Sequence, residues 1–340
     1  MRVVVLLGTT DVGQAIISRL KLEGYEVTAL SPEKPDGVDQ WHSVELADPT
    51  SIERALAQVD GPFDAVVNAT DWPPRQDEAL NILRSRFFTA RAFLDHMSDK
   101  LAPNASIVNM STRSGWKWRE NIAQVNALMR LGSIDDLPQF IESESFDGFR
   151  AYTLANEAII AMTTAKAEEM IAKGARINAV SPAAIKDKYF ADFLKQLGKQ
   201  AQRNVERVGR MGRPEEVAET VLWLLSAKSS WINGQNITVD GGIGAMISST
   251  QLRIGEAPEE PASFMSIATS PSVVKRSLSI AAIVGLILAT LNHGDRILAG
   301  NVDTTLLIRI GLTFFVPFCV STYSSFLAVR GNLQRIAPPL

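Results

Sequence analysis

The stretch Val3-Val4-Val5-Leu6-Leu7-Gly8-Thr9-Thr10-Asp11-Val12-Gly13-Gln14-Ala15-Ile16-Ile17-Ser18-Arg19-Leu20 decides the fold. Its first five residues are aliphatic and uncharged and read as a buried strand. A glycine turn follows, and the run from Gln14 to Leu20 reads as the helix that leaves it. Backbone amides at such a helix start, reinforced by the helix dipole, hold a phosphate anion. Three later runs, Asp64 to Thr70, Ser106 to Ser111 and Arg176 to Pro182, each read as a parallel strand buried on both faces and entering a loop. Ligands of open parallel sheets bind at those carboxyl ends. The expected fold class is α/β, a Rossmann-type doubly wound parallel sheet.

At 340 residues the chain exceeds what one core ordinarily holds. Residues 1–242 alternate strand-like and helical stretches, whereas 277–330 contain two long apolar runs around a polar turn. A C-terminal all-α transmembrane hairpin of two helices is therefore expected. The expected domains are 1–245 for nucleotide binding, 246–273 as a flexible linker rich in Ser, Pro, Glu, Ala and Gly, 274–331 in the membrane and 332–340 as a cytoplasmic tail. The net charge of −3 and the lack of a basic run outside the membrane flanks exclude a nucleic-acid partner. The single cysteine, Cys319, excludes a disulfide framework and a cysteine-rich metal site, and no metal is expected. Met1-Arg2 leads straight into the first strand, too short for a signal-peptide core.

A membrane span takes about 20 residues. The run Leu306 to Val329 qualifies alone, and Ser277 to Leu291 qualifies if part of Asn292-His293-Gly294-Asp295-Arg296 joins it. A buried hairpin in a soluble protein is the alternative. Gly285 and Ala289 have the small-xxx-small spacing that lets helices approach. Lys275 and Arg276 before the pair, with Arg330 and Arg335 after it, outweigh the positive charge of the turn. Both termini are therefore expected in the cytoplasm, with the protein multi-pass in the inner (plasma) membrane. Arg309, Thr313, Pro317, Ser321 and Ser325 recur every four residues along one helix side. Arg309 either snorkels to the interface or, with Arg296 and His293, makes an oligomer's interior attractive to anions.

Residues 1–245 resemble the short-chain dehydrogenase/reductase family in Val66-Val67-Asn68-Ala69, Ala92 to Met97, Ile107 to Ser111, Arg176 to Pro182, Gly209 to Ala218 and Gly234 to Gly242, in the family's own order. The resemblance implies that Gly8, Thr9, Thr10 and Gly13 surround the phosphates and that Glu45 and Leu46 contact adenine. It also implies that Asn68, Ala69 and Thr70 line the nicotinamide-side ribose and that Pro182 to Ile185 pass the nicotinamide. The cofactor is NAD or NADP, undetermined because Ser31, at the end of the second strand, is neither acidic nor basic. The glycine turn is one residue shorter than the family's and lacks its middle glycine, and Ala183 stands for a glycine.

Family members use a tyrosine acid/base, a lysine four residues later and a serine that polarises the substrate oxygen. A free tyrosine titrates near pH ~10, so a cation must lower it for work at neutral pH. Tyr152 is present, Thr112 stands for the serine, and Asn156, which carries no charge, stands for the lysine. Asn81, the candidate to complete a proton relay, is displaced by one residue. Residues 113–150 form a long insertion with Trp116, Trp118 and a helix near Asn121 to Leu131. The expectation is a domain whose Thr112, Tyr152 and Asn156 are catalytically degenerate, with Tyr152 and Asn156 lining the cofactor.

Residues 272–331 resemble the small two-helix nitrate/nitrite transporter family in Lys275-Arg276-Ser277-Leu278, Leu291 to Asp295, Val316-Pro317-Phe318 and Val320 to Tyr323. That resemblance implies a nitrate/nitrite path through Asn292, His293, Asp295, Arg296, Arg309, Thr313 and Ser321. Two helices cannot enclose a path, so it also implies a homo-oligomer, dimer or tetramer. The function expected from the whole sequence is an oligomeric nitrate/nitrite channel or transporter regulated by an inactive NAD(P)(H)-binding domain. A membrane-anchored oxidoreductase of a hydrophobic carbonyl or alcohol is the alternative.

Overall fold

β1 (Arg2–Leu6) lies inside a parallel sheet because each neighbour enters from a crossover. The strands β2 (Glu26–Ser31), β3 (Gln40–Ser43), β4 (Phe63–Asn68), β5 (Leu101–Met110), β6 (Arg176–Pro182) and β7 (Asn236–Val239) complete it in the order β3-β2-β1-β4-β5-β6-β7. The computed structural model describes residues 1–186, 202–252, 254, 263–301 and 303–336. All pairings are parallel, and strand order reverses between β1 and β4, which opens a crevice at their carboxyl ends. The doubly wound sheet expected from the sequence is present.

Alternation along each strand sorts the core into two layers. Val4, Leu6, Val66, Ile107 and Ile177 face one side, and Val3, Val5, Val67, Val108 and Val180 the other. On the second side lie α1 (Asp11–Leu22) and the later helix Pro214–Leu225, through Ile16, Ile17, Leu20, Val217, Val221 and Leu224. On the first lie α2 (Pro49–Ala57), α3 (Ala79–Ile82), α4 (Thr89–Met97) and the helix Gly148–Ala165. Between α3 and α4 the chain winds a π turn, Leu83–Phe88, which takes one more residue than an α turn. Asn81, just before it, is exposed. The insertion supplies α5 (Ile122–Arg130) and α6 (Leu137–Glu144), which bury Val125, Leu128, Leu137 and Phe140 in the first layer ahead of α7 (Gly148–Ala165). Then come α8 (Ala167–Ala172) and α9 (Pro214–Leu225).

The chain divides into two compact units, Met1–Arg253 and Ile254–Leu340. In the stretch expected as a linker, α10 (Ile243–Leu252) and α11 (Phe264–Ala268) are helical; residues 253 and 255–262 lie outside the described residues. The second unit is built on α12 (Pro271–Leu298) and α13 (Thr304–Ile336), which contain spans long and apolar enough to cross a membrane. Asn292 to Arg296, expected as the connecting turn, instead continue α12, because no proline interrupts them and the helix runs on to a left-handed Gly300. Ser277, Ala281, Gly285 and Ala289 are buried every fourth residue. A Cβ on Gly285 would lie 2.4 Å from the Phe314 ring, so its lack of a side chain is what admits the helix pair's close approach. Ser277 donates to Ser321 at 3.2 Å and accepts from Thr322 at 3.1 Å. Leu286, Leu291 and Phe315 point outward.

Candidate functional site

The glycine turn begins one residue earlier than its glycine. Leu7 itself takes a φ of 58°, the left-handed region that glycine enters freely, so the residue by which the turn looked short is Leu7. Its amide donates to the Leu30 carbonyl at 2.8 Å. Gly13 is fixed by space: a Cβ there would sit 2.7 Å from the Leu7 carbonyl oxygen. Thr10 caps α1, its hydroxyl accepting from the Gly13 amide at 3.0 Å, and Asp11 occupies the first turn. The segment after β2 folds back over this turn. Pro35 approaches Gly8, and the Gln14 side chain exchanges two 3.0 Å hydrogen bonds with the Asp36 backbone.

A cavity of about 460 Å³ opens beside the carboxyl ends of β2 and β3, lined by Pro32, Val44, Glu45, Leu46 and Trp72 among others. Glu45 and Leu46, expected at adenine, are thus brought together on it, while Ser31 is buried with its hydroxyl on the Glu33 carbonyl. Trp72, which the sequence reading passed over, is held by an indole N–H bond to Glu78 at 2.8 Å.

At the ends of β4 and β5 the polar side chains mostly face one another. Asn68 donates to Asn109 at 3.3 Å and accepts from the Thr70 amide at 3.2 Å, tying the strands together. Among the described residues the Thr70 hydroxyl is buried without a hydrogen-bond partner. Ala69 is buried beside it, Pro182 is half-buried, and Ile185 bridges to Gly212.

Thr112 follows β5, accepts from the Ser114 amide at 3.3 Å and lies within hydrogen-bonding reach of the Tyr152 hydroxyl. Tyr152 and Asn156 stand one turn apart on α7. Asn156, expected to meet a ribose, is instead fully buried with its amide committed to the protein: Nδ2 donates to the Tyr152 carbonyl at 2.8 Å, and Oδ1 accepts from Arg86 at 2.7 Å and from Ser111 at 3.3 Å. Gly115 is pressed against it, since a Cβ there would lie 2.8 Å from the Asn156 backbone carbon.

Arg86 and its neighbour Asp71 were not found from the sequence, because an arginine in an apolar helix carries no motif. Arg86 sits in the π turn, 1% exposed, with an ion pair to Asp71 and its guanidinium 5.2 Å from the centre of the Tyr152 ring. Burial is the largest cause that pushes the Tyr152 hydroxyl up to about 12; Asp71 adds to it, and Arg86, Thr112 and Asn156 oppose it. Tyr152 is therefore a neutral hydroxyl across the physiological range. Next to Asn156, buried Glu157 is held by Arg150 at 2.8 Å and Asn121 at 2.6 Å. Arg113, just after Thr112, pairs with Asp240 at 3.3 Å and fastens the loop after β5 to the turn after β7.

The ion-path residues are spread along the hairpin. Asn292, Asp295 and Arg309 are exposed, His293, Arg296 and Thr313 half-buried, and Ser321 buried on Ser277. Arg296 pairs with Asp303 at 3.1 Å. Among the described residues no cluster of metal ligands occurs.

A phosphate cradle at a strand-to-helix turn, beside the point where strand order reverses, defines a dinucleotide-binding domain of the Rossmann class. A family profile described as enoyl-(acyl carrier protein) reductase matches residues 122–244. Coniferyl-alcohol dehydrogenase of Pseudomonas sp. (strain HR199 / DSM 7063) is 23% identical over 72% of this chain and 96% of its own length. An uncharacterized oxidoreductase of Schizosaccharomyces pombe is 30% identical over 57% of this chain and 69% of its own. Among solved structures, the 3-alpha-hydroxysteroid dehydrogenase from Pseudomonas sp. B-0831, complexed with NADH, superposes with a TM-score of 0.65 at 21% identity, covering 73% of this chain and 99% of that one. The first unit belongs to the short-chain dehydrogenase/reductase family.

Proposed function

We propose that the protein is a membrane-anchored NAD(P)-dependent oxidoreductase that reduces a hydrophobic carbonyl. The observation that carries this reading is the meeting of Thr112, Tyr152, Asn156 and Arg86 at the carboxyl end of β5. The cofactor is NAD or NADP; the NADH complex of a structural relative supports it, and the residues here fit it. Gly13 lets the turn close against the start of α1, among the described residues the Thr70 hydroxyl lacks a hydrogen-bond partner, and the cavity at Glu45 and Leu46 suits an adenine. When bound, the reduced nicotinamide would supply the hydride that the carbonyl carbon takes up. Tyr152 passes its proton to the carbonyl oxygen, so that an alcohol forms, while the Thr112 hydroxyl donates a hydrogen bond to the same oxygen. Two apolar helices hold the domain where a lipid-like or quinone-like substrate is concentrated.

The test is turnover of NADH or NADPH by the full chain in detergent micelles over a panel of hydrophobic ketones and quinones. Tyr152→Phe is expected to lower turnover by about 10²–10⁴-fold. Dinucleotide binding without turnover of any of them would sink the reading.

A second reading has its own support. A groove of about 640 Å³ on the hairpin is lined by Arg276, Ser321, Ser324 and Ser325 among apolar residues, a cation with hydroxyls that suits a small anion. With the nitrate/nitrite resemblance, it supports an oligomeric transporter governed by nucleotide occupancy. Nitrate flux into liposomes that changes with dinucleotide would favour it; no flux would remove it.

A further inference from the structure

The largest fully buried side chain among the described residues is charged: Arg86. An unpaired guanidinium in a protein interior costs several kcal/mol, so each partner must be accounted for. Asp71, half in solvent, neutralises it from one side. On the other side its Nη2 meets the Asn156 side-chain oxygen at 2.7 Å, and its guanidinium carbon lies 5.2 Å from the centre of the Tyr152 ring. Nε has no partner. From other elements, the Ser111 hydroxyl reaches the same Asn156 oxygen at 3.3 Å and Thr112 reaches the Tyr152 hydroxyl.

Asn156 stands where the family places a lysine. A lysine ammonium there would point at the Arg86 guanidinium, like charge against like, whereas an asparagine presents an oxygen to it. The two residue identities are complementary, one neutral because the other is charged. The π turn is what aims Arg86, since the extra residue rotates the side chains after it relative to those before.

We propose that Arg86 supplies the positive charge that the family carries on its lysine, so that the cation of this site comes from the π turn and Asn156 is the adapter that links it to Tyr152. The inference deepens the oxidoreductase reading and rests on it. Arg86 touches Tyr152 and Asn156 rather than the reacting atoms, and is a positioning residue.

The test uses the full chain in detergent micelles as wild type, R86Q, R86Q/N156K and D71N, with Y152F identifying the Tyr152 signal. Three quantities are read: NADH and NADPH affinity, turnover of a carbonyl, and the pH at which tyrosinate absorbance of Tyr152 appears. R86Q is expected to keep dinucleotide affinity within about threefold and to lose about 10²–10³-fold in turnover, the scale of removing one preorganised charge or donor. Its Tyr152 signal should move to higher pH than in wild type. R86Q/N156K, which returns the charge to α7, is expected to recover turnover to within about tenfold of wild type. D71N removes the counter-charge of a buried guanidinium and is expected to cost stability, so its fold is confirmed by circular dichroism before titration; it should bring the Tyr152 signal to lower pH. Wild-type turnover in R86Q, or no recovery in R86Q/N156K with dinucleotide still bound, would overturn the proposal. If wild type binds dinucleotide yet reduces nothing, the oxidoreductase reading fails, and the titrations decide the charge relation alone: superposable curves for wild type, R86Q and D71N overturn it too.

Discussion

The sheet domain and the hairpin are both rich in aliphatic residues, yet they place them oppositely. In the domain Val3 to Leu6 and Ile107 are inside, and the contacts between elements are made by large side chains. In the hairpin Leu286, Leu291 and Phe315 face outward, and the contact is made by Ser277, Ala281, Gly285 and Ala289. Water rewards burial of apolar area, whereas between lipid-facing helices that reward is absent and close backbone approach takes over. On the proposed membrane anchoring, this contrast is that of two units of one chain folded for two solvents.

The same substitution in each unit breaks or sharpens this comparison. Ile107→Ser leaves a cavity and a buried hydroxyl and is expected to cost about 4 kcal/mol. Ile287, 54% exposed, should lose under about 1 kcal/mol on the same change. Equal losses in urea titrations of the full chain would erase the distinction. Leu286→Arg is expected to cost roughly 3 kcal/mol of membrane insertion, visible as protein moving out of the membrane fraction. An unchanged fraction would mean that this face meets no hydrocarbon.

Tyr152 sharpens the domain's side of the comparison. Its folded-state value of about 12 lies above the ordinary ~10. The folded chain keeps a proton that the unfolded chain gives up, so the contribution is whole below about pH 10 and lost as pH climbs to about 12, amounting to about 2–3 kcal/mol. Y152F should flatten that alkaline limb; a limb of the same height in Y152F would assign it elsewhere. The smallest effect belongs to the hairpin. Ser277→Ala removes the bonds to Ser321 and Thr322 and is expected to cost about 0.6 kcal/mol, read by thermal unfolding in micelles. A loss several times larger would mean a dry, water-like penalty inside the pair.

Patterns with a period were legible in the sequence. The strands at Asp64 to Thr70 and Arg176 to Pro182, the glycine turn and the small-residue stripe at Gly285 and Ala289 all rest on local spacing, and the structure has them. Glu45 and Leu46, placed after β3 by resemblance, line one cavity, and their role at adenine stays a proposal. The misses depend on contacts distant in sequence or on backbone detail. Arg86 lies 70 residues from Asn156, and nothing in either segment announces the other. Leu7 in a left-handed conformation contradicts its own preference and is imposed by the turn that Gly13 closes. Asn292 to Arg296 looked like a turn because they are polar, and polarity does not stop a helix. Asn156 was expected to face a ribose because its position, not its surroundings, was known.

The π turn at Leu83–Phe88 has a consequence for how such a site is inherited. One residue separates a π turn from an α turn, and each residue of a helix carries about 100° of rotation. Loss of a single codon there would swing everything before Arg86 by that angle while leaving α4 in register with the sheet. A one-residue indel in that helix is enough to trade one source of charge for another.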